Sequence, residues 1–185
     1  MAARIFLIGM PGSGKSTLGS ELANLLGWQW LDTDLEVERA NGMEVAEIFA
    51  SRGEAGFRYE EERVLGKAAA TMEPIVISVG GGAVADPFSR RRMADSGTVV
   101  WLRAANETLL SRLNAKEVDA RPLLVGNLEA AVGRLSTFRM PLYNALSDLT
   151  VDVDGLSEKE VLEVLLEQLE KFGITAKDKR DNWDA

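Results

Sequence analysis

The sequence predicts an α/β fold built on a central, mostly parallel five-stranded sheet, and three observations predict it. Five short apolar runs alternate with longer segments of helical period, the signature of strands joined by helical crossovers. A glycine-rich run of the form G-x-x-x-x-G-K-S links the first apolar run directly to the first helical segment. The 185 residues suit one compact domain with a single core and are too few for two full-sized domains.

The elements follow in order. Strands are expected at Arg4–Ile8, Trp28–Asp32, Pro74–Val79, Thr98–Leu102 and Leu149–Val153, where apolar and β-branched residues cluster. Between them, Ser16–Leu26, Glu54–Ala70, Pro87–Asp95, Glu107–Leu113 and Leu128–Leu146 can each lay an apolar face on the sheet. A last helix carries Val161, Val164, Leu165 and Leu169 at helical spacing, a stripe that reads as core packing. The irregular segment 114–126 is expected to be a mobile lid, and 174–185 a polar tail outside a single domain spanning 1–173.

Composition removes whole classes of chemistry. With 21 basic against 29 acidic residues the formal charge is −8, which argues against nucleic acid as a partner. The chain has no cysteine and no histidine, so disulfides, thiolate nucleophiles, Ser-His-Asp triads and histidine metal clusters are excluded. Carboxylates, Lys, Arg, hydroxyls and backbone amides remain, and phosphoryl transfer requires nothing else. No run approaches the roughly 18 consecutive apolar residues of a membrane helix, and the short N-terminal run reads as a strand rather than a signal peptide. A cytoplasmic protein without a membrane partner is expected.

Gly9-Met-Pro-Gly-Ser-Gly-Lys-Ser16 is the strongest signal. Its glycines, Gly12 and Gly14 among them, let the backbone turn tightly, so that consecutive amides from Gly12 to Thr17 can point at phosphate oxygens at the positive end of the next helix. Lys15 should reach the β- and γ-phosphates of ATP, and Ser16 offers a hydroxyl to Mg2+. Ser13 belongs to the same loop. The chain contains no Asn-Lys-x-Asp element for reading guanine, and Asp152–Gly155, although it matches D-x-x-G, reads as a turn.

On the acceptor side, Asp32 and Asp34 close the second strand, and strand alternation would point both carboxylates into the crevice. One could then support hydrated Mg2+ and the other orient an attacking hydroxyl; the pair could instead cap the next helix. Arg58 lies between Glu54 and Glu62 at i,i+4 spacing, which taken alone is a surface salt-bridge ladder. Gly80, Gly81 and Gly82 follow the third strand, where bare backbone could offer amides to an acceptor's oxygens.

The blocks GMPGSGKST, LDTD, GEAGFRYEE, VGGGAV, RPLL and RMPLY stand in an order and approximate spacing that resembles the shikimate kinases, from Gly9 to Tyr143. The resemblance implies a three-layer α/β/α P-loop kinase fold with a central five-stranded parallel sheet, helices on both faces and a mobile lid. It implies transfer of the γ-phosphoryl of Mg-ATP to the 3-hydroxyl of shikimate by a monomer. By the same resemblance Asp34 contacts the accepting hydroxyl, Asp32 belongs to the magnesium environment, and Arg58 and Arg139 hold the acceptor carboxylate. Gly80–Gly82 would line that pocket, with Phe49 and Phe57 as its apolar wall and Glu61 bracing the arginines. Arg121 would reach the transferring phosphate from the lid, and Arg112 would stack on adenine. The chain departs from the family at Asp154-Gly-Leu-Ser157, where relatives carry a basic or Asn/Pro-containing segment over adenine. A kinase for another hydroxy acid such as gluconate, or a non-catalytic ATP-binding module, are the competing readings.

Overall fold

A computed structural model describes residues 3–114, 118 and 120–176. Five parallel strands form one sheet: β1 (Arg4–Ile8), β2 (Gln29–Asp32), β3 (Ile75–Ser78), β4 (Thr98–Arg103) and β5 (Leu149–Asp152). Their spatial order is β2-β3-β1-β4-β5, so β1 lies in the middle with β3 and β4 as neighbours. β1 and β3 are buried along their whole length, as expected of parallel strands covered on both faces, whereas β2 is an edge strand with Gln29 and Trp30 exposed. The expected strands are all present, and the sheet is wholly parallel.

The helices are α1 (Lys15–Leu26), α2 (Thr33–Asn41), α3 (Val45–Ala69), α4 (Pro87–Ser96), α5 (Asn106–Arg112), α6 (Leu128–Leu146) and α7 (Glu158–Glu170). α1 and α7 touch each other and cover one face of the sheet; α4 and α6 cover the other, with α3 beside α4 and α5 beside α6. Local chemistry fixes their ends. Asp86 caps α4 by accepting from Ser89 N–H, with Pro87 in the first turn, and Ser157 and Glu160 form a reciprocal capping box at the start of α7. Asp152 and Asp154 are used structurally: Asp152 pairs with Arg103 across β4 and β5, and Asp154 accepts from Ala105 N–H beside α5.

Two features differ from expectation. The helix expected at Glu54–Ala70 starts nine residues earlier, at Val45, and bends at Gly53, whose φ of 69° and ψ of 179° break the helical path. α2 was expected only as the alternative in which the aspartate pair caps a helix, and Asp32 does cap it; only Thr33 and Val37 are buried along it, so no apolar stripe marks its extent. Together α2 and α3 enclose a small second core of Val37, Ile48, Phe57 and Val64, separate from the main core around the sheet. Part of the expected lid, residues 115–117 and 119, and most of the expected tail, 177–185, lie outside the described residues. Within the described remainder, Leu124 is buried and Ile174 packs on the main core.

Candidate active site

All the candidate residues sit at the carboxyl edge of the sheet, where the turns after β1, β2 and β3 open together. The loop from Gly9 to Gly14 turns into α1 through Gly14, whose left-handed φ of 92° aims the first amides of the helix at the space above it. Lys15 folds back over this loop, its Nζ donating to the carbonyls of Gly9 and Met10 at 2.9 Å each. A side chain at Gly9 would come within 2.7 Å of the Leu102 carbonyl, so bare backbone is required where the loop crosses β4. Ser13 behaves differently from its neighbours: its side chain is fully buried and its N–H donates to Met10 O at 3.1 Å.

Asp32 ends β2, and Asp34 lies in the first turn of α2, so strand alternation does not govern their directions and that expectation is corrected. The cap and the cleft are nevertheless compatible. Asp32 Oδ1 accepts from the N–H groups of Asp34 and Leu35, while Oδ2 accepts from Ser16 Oγ at 2.5 Å. Capping turns the chain so sharply that Asp34 also faces the cleft, lining the same chamber as Asp32 and Lys15.

That chamber, of about 80 Å3, brings together Asp34, Arg58, Gly80–Gly82, Arg121 and Arg139, with Phe49 and Phe57 in its apolar wall. The two rings stack at 4.8 Å between centroids, and Phe57 belongs to the small second core as well. Arg58 donates to Glu61, expected to brace it, at 2.6 Å and to Glu54 at 3.2 Å; of the two i,i+4 glutamates only Glu54 is its partner, since Glu62 pairs with Arg92. Arg139 is 5% exposed and faces the chamber from α6. A Cβ added to Gly80 would collide with carboxylate oxygens of Asp34 and Glu61, and one added to Gly82 would collide with the Arg58 guanidinium. The absence of side chains there is what admits these charged groups.

The triple-glycine turn is itself pinned: Gly80 N–H donates to Thr33 Oγ1 at 2.8 Å, and Tyr143 Oη donates to Gly81 O at 2.6 Å. The Gly80 amide is therefore committed to Thr33, which corrects the expectation that it is offered to a ligand. Thr33, Tyr143 and the Ser78 hydroxyl were not singled out in the sequence. Nothing local marks them, since their partners lie 47, 62 and 63 residues away.

A second chamber of about 470 Å3 opens on the other side of the phosphate loop, lined by Gly12, Gly14 and Thr17 and by Val153, Leu156 and Glu158 from the far end of the sheet. Arg112 lines it while donating to Val153 O at 3.1 Å, so its guanidinium is anchored in the wall of this chamber. Lys15, Ser16 and Arg121 border both chambers. These three mark the passage between the two cavities.

The electrostatics suit charge transfer across that passage. Withdrawal from water lowers the Lys15 ammonium to about 8, with Asp34 opposing the fall. The same withdrawal, reinforced by Asp32, lifts Asp34 to about 6 against the pull of Lys15, Arg121 and Arg58. Burial pushes Glu61 up to about 7, with Arg58 opposing. Asp34 is thus a stronger base than an ordinary aspartate yet still mostly ionised at neutral pH.

A family model described as shikimate kinase matches residues 11–170. A shikimate kinase from Coxiella burnetii is 36% identical over 163 residues, covering 88% of this chain and 90% of that protein. One from Paramagnetospirillum magneticum is 39% identical over 162 residues, covering 87% and 82%. Among solved structures, shikimate kinase from Acinetobacter baumannii in complex with shikimate superposes with a TM-score of 0.88 at 32% identity, covering 95% of this chain and 97% of that one. A gluconokinase from Sinorhizobium meliloti reaches a TM-score of 0.59 at 18% identity, a likeness of fold alone. The matched span takes in the phosphate loop from Pro11 onward, the aspartate pair, the glycine turn and the buried arginine of α6, and the chain belongs to the shikimate kinase family.

Proposed function

We infer that this protein is a shikimate kinase, transferring the γ-phosphoryl of ATP to the 3-hydroxyl of shikimate to give shikimate 3-phosphate and ADP. The observation that carries this reading is the pair of chambers meeting at Lys15, Ser16 and Arg121, one walled by the phosphate loop and the other by Asp34, Arg58 and Arg139. The matched family and the relatives of that name support the choice of acceptor.

In this reading the acceptor carboxylate is gripped by Arg58 and Arg139, whose guanidinium donors suit a planar anion and stay charged at any working pH. Gly80–Gly82 give it room, and the Phe49–Phe57 wall takes the apolar face of the ring. Asp34 orients the hydroxyl and accepts its proton as the oxygen attacks the γ-phosphorus and the bond to the β-phosphate oxygen breaks. Lys15 neutralises charge on the terminal phosphates, and Arg121 meets the equatorial oxygens where the chambers join. Amides and hydroxyls from Gly12 to Thr17 hold the phosphates, and Arg112 lies against the adenine. Ser13 acts through the shape of the loop, since its hydroxyl is turned inward.

Ser16 Oγ and Asp32 Oδ2, adjacent at the helix start, are a hard-oxygen pair that fits Mg2+, an ion that keeps several waters and takes few protein ligands. Bound there, it would supply charge neutralisation at the terminal phosphates. We read the protein as a cytoplasmic monomer organised as one domain, 1–173, with a lid at about 114–126. Among the described residues no helix is long and apolar enough to cross a membrane.

The test is ADP release from Mg-ATP by purified protein across an acceptor panel. Turnover should appear with shikimate and not with gluconate or without acceptor. Turnover with gluconate and not shikimate would reassign the acceptor, and nucleotide binding without turnover on any acceptor would leave a binding module.

A further inference from the structure

We propose that Ser78 is a positioning residue for phosphoryl transfer, its hydroxyl tying the backbone of Lys15 to the strand that leads into the glycine turn, with the Trp30 indole holding that hydroxyl in place. The proposal rests on the kinase reading above and concerns how the donor and acceptor halves of the site are held in register.

Ser78 is the last residue of β3 and only 1% exposed. Its Oγ donates to the Lys15 carbonyl at 2.8 Å and accepts from Trp30 Nε1 at 3.1 Å. With its proton given to Lys15 and a lone pair taken by Trp30, the hydroxyl rotor has one satisfied orientation. Lys15 O, at the first position of α1, thereby gains a tertiary bond from outside its helix.

The location gives this bond its leverage. In the sheet Ser78 is paired with Leu7 of β1 on one side and with Asp32 of β2 on the other. From this one rung the chain runs on into the phosphate loop, the Asp32–Asp34 turn and the Gly80–Gly82 turn. The backbone of that rung fixes the three turns sideways, along the sheet. It does not fix α1, which rests on the face of the sheet and carries the lysine.

Gly19 shows how close that rest is. A Cβ there would stand 2.9 Å from Trp30 Nε1 and collide with Ser78 Oγ, so the helix settles directly onto the hydroxyl–indole pair. Together with the Ser16–Asp32 hydrogen bond, the Trp30–Ser78–Lys15 chain thus sets the height of the first turn of α1 above the strands bearing the acceptor groups, and it is the contact made from the buried middle of the sheet. A shift of that turn moves the ammonium and the phosphates it holds relative to Asp34, and in-line transfer is sensitive to misplacement on that scale.

The test separates alignment from folding and binding. Ser78→Ala should lower kcat roughly tenfold while KM for ATP and for shikimate stay within about twofold, the pattern of an interaction that matters in the transition state. In parallel, the tryptophan emission that Trp30→Phe removes should shift when wild-type protein is saturated with ATP alone, and Ser78→Ala should abolish that shift while retaining nucleotide affinity. Wild-type kcat in folded Ser78→Ala would overturn the proposal, as would a loss of kcat matched by equal rises in both KM values. A Trp30 signal in the wild type that ignores nucleotide would overturn it too, and that measurement decides alone if Ser78→Ala does not accumulate folded. Wild-type protein whose Trp30 responds to ATP but which does not phosphorylate shikimate would count against the acceptor assignment and leave the relay standing.

Discussion

Replacing Gly82 with alanine acts on the acceptor chamber chiefly through Arg58, whose guanidinium supplies the three atoms nearest to the added methyl. Gly82 has an ordinary right-handed backbone, φ −95° and ψ −13°, so alanine meets no conformational penalty and acts only through the volume of its methyl. That methyl would stand 2.5 Å from Arg58 Cζ, where ordinary contact begins at 3.4 Å, so the guanidinium must retreat by about 1 Å. Charge-assisted bonds to a carboxylate span about 2.7–2.9 Å, and a retreat of that size takes Arg58 out of reach. Losing one such bond costs about 1.5–3 kcal/mol, which corresponds to a rise in KM for shikimate of roughly 10- to 100-fold. KM for ATP should remain near the wild-type value, because Arg58 does not line the nucleotide chamber. The assay is coupled ADP release, titrating shikimate at saturating ATP and then ATP at saturating shikimate, with a thermal melt to confirm folding. A folded Gly82→Ala enzyme with KM for shikimate within about twofold of wild type would refute the assignment of Arg58 to the acceptor carboxylate.

Asp34→Asn should reduce kcat by roughly 100-fold or more by removing the proton acceptor, while equilibrium binding of ATP persists; wild-type kcat would exclude Asp34 as base. The pH dependence of kcat/KM should be bell-shaped. Asp34 must be ionised, so activity rises as pH passes through about 6, and Lys15 must be protonated, so activity falls as pH passes through about 8. A profile flat from pH 5 to 9 would contradict both roles.

The parts legible in the sequence are those whose chemistry is written locally. The phosphate loop is read from fixed spacing between a strand and a helix, and β1, β3 and β4 from dense apolar runs, because burial on both faces leaves no polar interruption. The start of α2 was legible only as the capping alternative, because nine residues with one buried aliphatic side chain make no periodic signal and Thr33–Asp34 reads equally well as a strand end. The direction of Asp34 was therefore reached through the wrong local geometry, although its presence in the cleft was expected. Arg58 pairs with Glu61, buried one turn on at i,i+3, while Glu62 on the outer side of the helix is taken by Arg92 of α4, a partner 30 residues away that i,i+4 spacing does not encode. Thr33, Ser78 and Tyr143 are single hydroxyls whose meaning lies in distant chain segments, so only the folded backbone reveals them.

The central place of β1 has a consequence for how the protein can change. The chamber read as the acceptor site is lined mainly from the ends of β2 and β3, from α3 and α6 and from 121–124, while the chamber read as the nucleotide site is completed after β4 and β5, by Arg112, Val153 and Glu158. The two chambers lie on either side of the phosphate loop along one edge of the sheet and share only Lys15, Ser16 and Arg121 in their walls. In the kinase reading, substitutions beyond β5, such as in the Asp154–Ser157 segment, should change KM for ATP and leave KM for shikimate near the wild-type value.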